Sequence, residues 1–237
     1  MSGWTAKRFW TDAKAEPVSG GYTVLLDARA VKTPAKRALV VPTRAMAEAM
    51  AAEWQAQGEK IEPATMPVTR SANAALDKVA TQMAEVAELI AAYGETDLLC
   101  YRAERPADLI ALQAEGWDHW LDWAEARHGA RLSITQGVVP ILQPAHALVA
   151  LARRVEAYDI WELAALHDLV GLTGSLVLGL AVADGALTAA EAWDVSRIDE
   201  AYQIAQWGAD EEAEELAALK KQALLHAERF WMLRHSA

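Results

Sequence analysis

The chain has 237 residues with 22 Lys plus Arg against 33 Asp plus Glu, and its formal charge of -11, with no basic cluster, excludes nucleic acid as a partner. Its apolar class of 53% divides into 51 alanines and 75 larger residues, enough core for one large or two small domains. The single cysteine, Cys100, excludes a disulfide framework or cysteine-rich zinc site and fits a reducing compartment.

From Lys7 to Val41 the residues favour strands. Tyr22, Val24 and Leu26 alternate with Thr23, Leu25 and Asp27, and Gly20-Gly21 and Asp27-Ala28-Arg29 supply turns, which predicts a small antiparallel meander. Pro42-Thr43 marks a switch to helix, with Thr43 as N-cap and Met46, Met50 and Trp54 on one stripe; Trp54 is expected to be buried between helix and meander. Beyond Pro63 to Pro67 a second helix is expected through Ala72, Leu76, Val79, Met83, Val86 and Ile90, stopping at Gly94. A domain boundary is placed near residue 95, giving an N-terminal α+β domain over 1–95 and a helical domain over 96–237.

Pro106 suits a helix start, and Leu109, Leu112, Gly116, Trp120 and Trp123 are expected to share a face up to Gly129. Residues 130–141, with Leu132, Ile134, Val138 and Val139 among polar neighbours, read as a short strand or extended link. Helices are expected at about 145–158, 161–182, 189–207 and 210–234, the third opening with a Thr188-x-x-Glu191 capping box. Gly171, Ser175, Gly179 and Ala183 would then form one smooth ridge. The uncharged run between Asp168 and Asp184 falls short of the about 20 apolar residues of a spanning helix, so no membrane insertion is expected. The fold class is α+β, an antiparallel meander packed with helices followed by an all-α bundle.

Signatures of chemistry are sparse. The nearest approach to a nucleophile elbow, Gly171-Leu172-Thr173-Gly174-Ser175, lies inside the apolar helix, and no phosphate loop or dinucleotide fingerprint is present. Asp118, His119 and Asp122 are the best metal candidates, though with no further ligand placed nearby a solvated helix face is the plainer reading. Cys100 could be a thiol beside Arg102, but after Leu98-Leu99 a packed core residue is the plainer reading. The run Asp210, Glu211, Glu212, Glu214, Glu215 ahead of Lys220 and Lys221 suits the helix macrodipole. Trp193, Arg197, Glu200, Ile204 and Trp207 recur at steps of four and three; such a stripe suits a protein interface and a core edge equally.

The strings Thr96-Asp97-Leu98-Leu99-Cys100-Tyr101-Arg102-Ala103-Glu104, then Pro106, Leu109, Gln113, Trp117-Asp118 and Trp123, resemble the assembly chaperones that handle the α subunit of the F-type ATP synthase catalytic head. The resemblance continues in Ser196-Arg197-Ile198-Asp199-Glu200 with Tyr202-Gln203 and Trp207-Gly208, and upstream in Lys32-Thr33-Pro34, Pro42-Thr43, Glu53-Trp54 and Met66-Pro67. The chain departs from the family at Ala28, Ala74 and His119, and at Asp199, where glutamate is common.

The resemblance implies an N-terminal β-containing part and a helical part, no enzymatic activity and no cofactor. It implies a protein that binds the unassembled α subunit, prevents its aggregation and releases it to the β subunit. It ties Asp199 to function and so makes Arg197, Asp199, Glu200 and Trp207, with Trp193 and Ile204, the expected partner-binding residues. A permanent helical adaptor and an enzyme with an unrecognised site are the alternatives. The free protein is expected to be monomeric and, because the opening residues carry no apolar signal core, to act in a bacterial cytoplasm, eukaryotic members of the family acting in the mitochondrial matrix.

Overall fold

In the computed structural model, which describes residues 7–137 and 139–236, the polypeptide is mixed α+β. Its contacts divide it into two compact units that interleave along the chain. Of the described residues, one comprises 7–83, 159–165 and 229–236, the other 84–137, 139–158 and 166–228.

The first unit opens with the expected meander: β1 (Ala13–Val18), β2 (Gly21–Leu26) and β3 (Arg29–Ala30) pair antiparallel in that order, with Ala13 opposite Leu26. Helix α1 (Arg44–Gln55) packs on β1 and β2 and starts at Thr43, whose hydroxyl accepts the Met46 N–H at 3.2 Å. Met46 and Met50 are fully buried. Trp54 is only half-buried; its neighbour Trp10, edge-on to it at 5.3 Å, is buried. The apolar stripe gave the correct helix face, and the neighbouring aromatic took the interior place expected of Trp54.

Helix α2 (Pro67–Asp77) has no capping side chain of its own, and Glu53 of α1 serves it instead, its carboxylate accepting the N–H groups of Val68 and Thr69 at 2.7 and 2.8 Å. The long second helix expected through Ile90 is two: after α2 a 3-10 turn (Val79–Thr81) intervenes, and α3 (Met83–Ala91) begins anew, all but its first residue belonging to the second unit. The break follows Asp77, whose carboxylate accepts from the Thr33 hydroxyl and the Ala35 N–H and so ties the helix end to the loop after β3. The C-terminal residues complete this unit, with Phe230 buried and Arg234 paired to Asp159 at 2.7 Å.

The second unit carries β4 (Tyr101–Arg102), α4 (Ala107–His128), β5 (Thr135–Gln136) and α5 (Ala145–Glu156), β4 and β5 forming a two-residue parallel pair. The expected link over 130–141 thus contains a short strand; Val138 lies outside the described residues. On α4 the buried residues are Gln113, Trp117, Trp120, Leu121 and Ala124, while Leu112 is exposed. The expected face was out of phase because a polar residue, Gln113, occupies a core position.

The single long helix expected over 161–182 is also two, α6 (Ile160–Thr173) and α7 (Leu176–Ala183). Gly174, at φ +70°, takes the left-handed conformation that ends α6, and the Ser175 hydroxyl caps α7 by accepting the Leu178 N–H. Ser175 is therefore a structural cap, and the ridge through Gly171 does not form, since Gly171 is exposed. Helix α7 is buried from Leu176 to Val182 and forms the middle of this unit's core.

Candidate functional site

Three further helices follow: α8 (Ala189–Ser196), α9 (Ile198–Trp207) and α10 (Glu211–Arg234). The Thr188 and Glu191 side chains form the expected reciprocal capping box at the start of α8. The helix expected from 189 to 207 is interrupted at Arg197, whose backbone leaves the helical region at φ -112° and ψ 19°. Gly208, at φ +89°, follows the end of α9.

The interruption leaves most of the Trp193 to Ile204 stripe together. Arg197 lies over the Trp193 ring at 5.3 Å and its guanidinium donates to Glu200 at 2.7 Å. Trp193, Arg197, Glu200, Ala201 and Ile204, with Asp194 and Ala217, line an open depression of about 350 Å³. Trp193 is buried and forms its floor, and Lys221 of α10 reaches Asp194 at 3.2 Å on the rim. Trp207, one turn beyond, lines no part of it and is 79% exposed. Helix α9 buries none of its residues.

Asp199 and Glu200 diverge, as neighbours about 100° apart on a helix must. Glu200 turns to Arg197; Asp199 turns to α4, where the Gln113 amide donates to it at 2.6 Å. Gln113 is itself buried and its carbonyl accepts the Ala103 N–H at 2.8 Å, so the donor to Asp199 has a fixed orientation. Three more ties hold the end of α8 and α9 to α4: Trp117 Nε1 donates to the Val195 carbonyl of α8 at 2.8 Å, Tyr202 of α9 donates to Asp108 at 2.9 Å, and Ile198 packs on Gly116. Gln113 was legible only as part of a longer string, and Ala217 carried no signal in the sequence.

The metal candidates do not converge. Asp118 pairs with Arg102 at 2.9 Å, Asp122 pairs with Arg131, and His119 meets the Glu115 carbonyl. Among the described residues no group of three or more His, Cys, Asp or Glu side chains is placed to hold a metal ion. Burial pushes the Cys100 thiol up to about 12, aided by the charge of nearby Asp97, so the nucleophilic thiolate is not formed near neutral pH. No described helix is long and apolar enough to cross a membrane.

A family model described as ATP12 chaperone protein matches residues 7–125. The mitochondrial protein atp12 of Schizosaccharomyces pombe is 24% identical over 223 residues, which cover 89% of this chain and 76% of that protein. The crystal structure of Atp12 from Paracoccus denitrificans superposes with a TM-score of 0.94 at 50% identity, covering 97% of this chain and 98% of the other. The Atu1473 protein of Agrobacterium tumefaciens superposes with a TM-score of 0.90 at 43% identity, over 95% and 86% of the two chains.

Proposed function

This chain belongs to the ATP12 chaperone family of ATP synthase assembly factors, and from that premise we propose that it binds the free α subunit of the catalytic head, prevents its aggregation and yields it to the β subunit. An α subunit before assembly exposes surface destined for its neighbours, and large obligate interfaces are apolar enough to aggregate when bare. A chaperone must cover that surface and then leave it. Carboxylates set among apolar contacts bring selectivity and a faster encounter, while the affinity stays moderate enough for release.

One observation carries the assignment of the contact region. Helix α9 buries none of its own residues and carries half-exposed Asp199 and Glu200 together with exposed Ile204 and Trp207. In this reading Asp199 and Trp207 face the client, Glu200 and Arg197 form a paired charge at the edge, and Trp193 supports Ile204 from beneath. The protein acts without catalysis or cofactor, as a monomer when free, in the bacterial cytoplasm.

The test is to mix the purified protein with F1 α subunit and then add β subunit. A complex with α that β displaces is the expected result. Retention in the final α–β assembly would make the protein a permanent adaptor, and failure to capture α would overturn the reading.

A further inference from the structure

Helix α10 begins as a strut with almost nothing against it: of residues 211–220 only Ala217 is even half-buried, and it faces the depression beside α9. On this bare stretch Glu212, Glu215, Leu216 and Leu219 stand at positions i, i+3, i+4 and i+7, the spacing by which a helix normally lays one face into a core. Here the face is open, with Leu216 53% and Leu219 70% exposed. The macrodipole accounts for acid in the first turn of α10, but it gives no reason for two bare leucines on the same stripe. Isolated surface leucines need no explanation; two on an acidic amphipathic stripe of an unsupported helix do.

We propose that this stripe of α10 is a second docking surface for the client, and that the segment it takes from the α subunit is cationic with an apolar face. The inference rests on the function proposed above and extends the contact beyond α9. Charge selects the occupant: from Ile198 to Leu219 the chain carries Asp199, Glu200, Asp210, Glu211, Glu212, Glu214 and Glu215 and no Lys or Arg. Glu200 is neutralised by Arg197, and Asp210 accepts the Ala213 N–H at 2.8 Å as a cap, whereas Glu212 and Glu215 are exposed beside the leucines. An anionic lipid or nucleic acid would be repelled. A polypeptide segment with Lys or Arg flanking apolar side chains would cover both leucines and pair both glutamates. Long exposed carboxylates draw such a segment in and set its orientation, while the leucines supply the contact that excludes water.

The experiment measures binding of purified F1 α subunit to four forms of the full chain: wild type, Leu216→Asp with Leu219→Asp, Leu216→Ala with Leu219→Ala, and Glu212→Lys with Glu215→Lys. All four side chains are exposed, so the melting temperature and helical circular dichroism are expected to match wild type; the alanine pair, a strong helix former, secures the comparison if aspartate disturbs the helix. Each leucine pair should weaken capture at least tenfold. The lysine pair should weaken it likewise and flatten its dependence on salt. Wild-type capture that all three variants retain would overturn the inference and leave the proposed function standing. No capture by wild type would overturn both. A free protein that is dimeric, split by the leucine variants while capture is unchanged, would assign the stripe to a second copy of the chain and overturn the client as its occupant.

Discussion

The buried Gln113 amide donates to the Asp199 carboxylate at 2.6 Å while its other end accepts the Ala103 N–H at 2.8 Å. A carboxylate on a helix that buries nothing is thereby held by a side chain inside the core. The two residues should separate in mutants. Gln113→Leu leaves the half-buried Ala103 N–H without its acceptor and is expected to cost about 1 to 3 kcal/mol of folding stability, read by urea denaturation. Asp199→Lys leaves the Gln113 amide without its acceptor, a loss of similar size, yet the protein should remain folded while capture of the α subunit is lost. Unchanged co-purification of α with a folded Asp199→Lys protein would remove Asp199 from the contact region.

Asp97 is fully buried, its oxygens accepting the N–H groups of Leu99 and Val177 at 3.0 Å each. Burial outweighs these donors and raises its carboxyl from 3.8 to about 6. An acid whose folded pKa lies above its unfolded one holds its proton more tightly in the native state, so its contribution to stability falls as pH rises from about 4 to about 6 and is level above that. Asp97→Asn abolishes this titration. Across that interval the stability of the variant relative to wild type should therefore rise with pH, even though Asn offers the backbone donors one acceptor fewer and is the weaker protein at pH 7. Denaturation curves taken every half unit would show it; parallel pH profiles for the two proteins would contradict it.

Asp184 presents the opposite sign. Burial works against its ionisation, but hydrogen bonds from Arg127 at 2.7 Å and Arg154 at 3.0 Å, with their charges, prevail and hold its carboxyl below the usual value of 3.8. Adjacent His128 is kept neutral more readily than usual, chiefly by burial. The stabilisation from Asp184 is present above its unfolded pKa and disappears as pH falls through the lower folded value. Asp184→Asn should cost about 1 to 2 kcal/mol at pH 7, less than a sealed ion pair because both arginines reach solvent. The deficit should close below about pH 3.8, and a deficit that persists there would point to packing as its source.

Local signals were legible wherever a short pattern carries its own physics. The meander, the Thr43 cap and the Thr188 box could be read because alternation and capping act within a few residues. Helix breaks were not legible. The turns at Val79–Thr81 and at Arg197 lie in sequences that propensity alone continues as helix, and partners distant in the chain, such as Thr33 on Asp77, accompany the first. The phase of α4 was misread for a related reason: apolar periodicity cannot see a glutamine buried because Ala103 and Asp199 satisfy it. Around the candidate site, the sequence put Arg197 and Glu200 on one stripe but could not say which of Asp199 and Glu200 pairs with Arg197, since their separation depends on what α4 offers across the fold.

Two glycines in the second unit test how firmly its helices are fixed. A Cβ on Gly179 would stand 2.5 Å from Val170 Cγ2 and 3.3 Å from the Val170 backbone nitrogen. The β-branched valine has little rotamer freedom in a helix, and the backbone of α6 cannot yield without disturbing the core around α7, so Gly179→Ala should cost about 1 to 3 kcal/mol. A Cβ on Gly116 would come as close, 2.3 Å from Ile198 Cδ1, but the next nearest atom is Cγ1 at 3.7 Å, so only the tip of one side chain must turn away. Alanine also favours the helix by about 1 kcal/mol over glycine, which offsets that rearrangement. Gly116→Ala is therefore expected within about 1 kcal/mol of wild type in thermal and urea unfolding. A larger loss would mean that Ile198 cannot turn and that α9 is pushed off α4 instead, taking the Gln113 to Asp199 hydrogen bond with it.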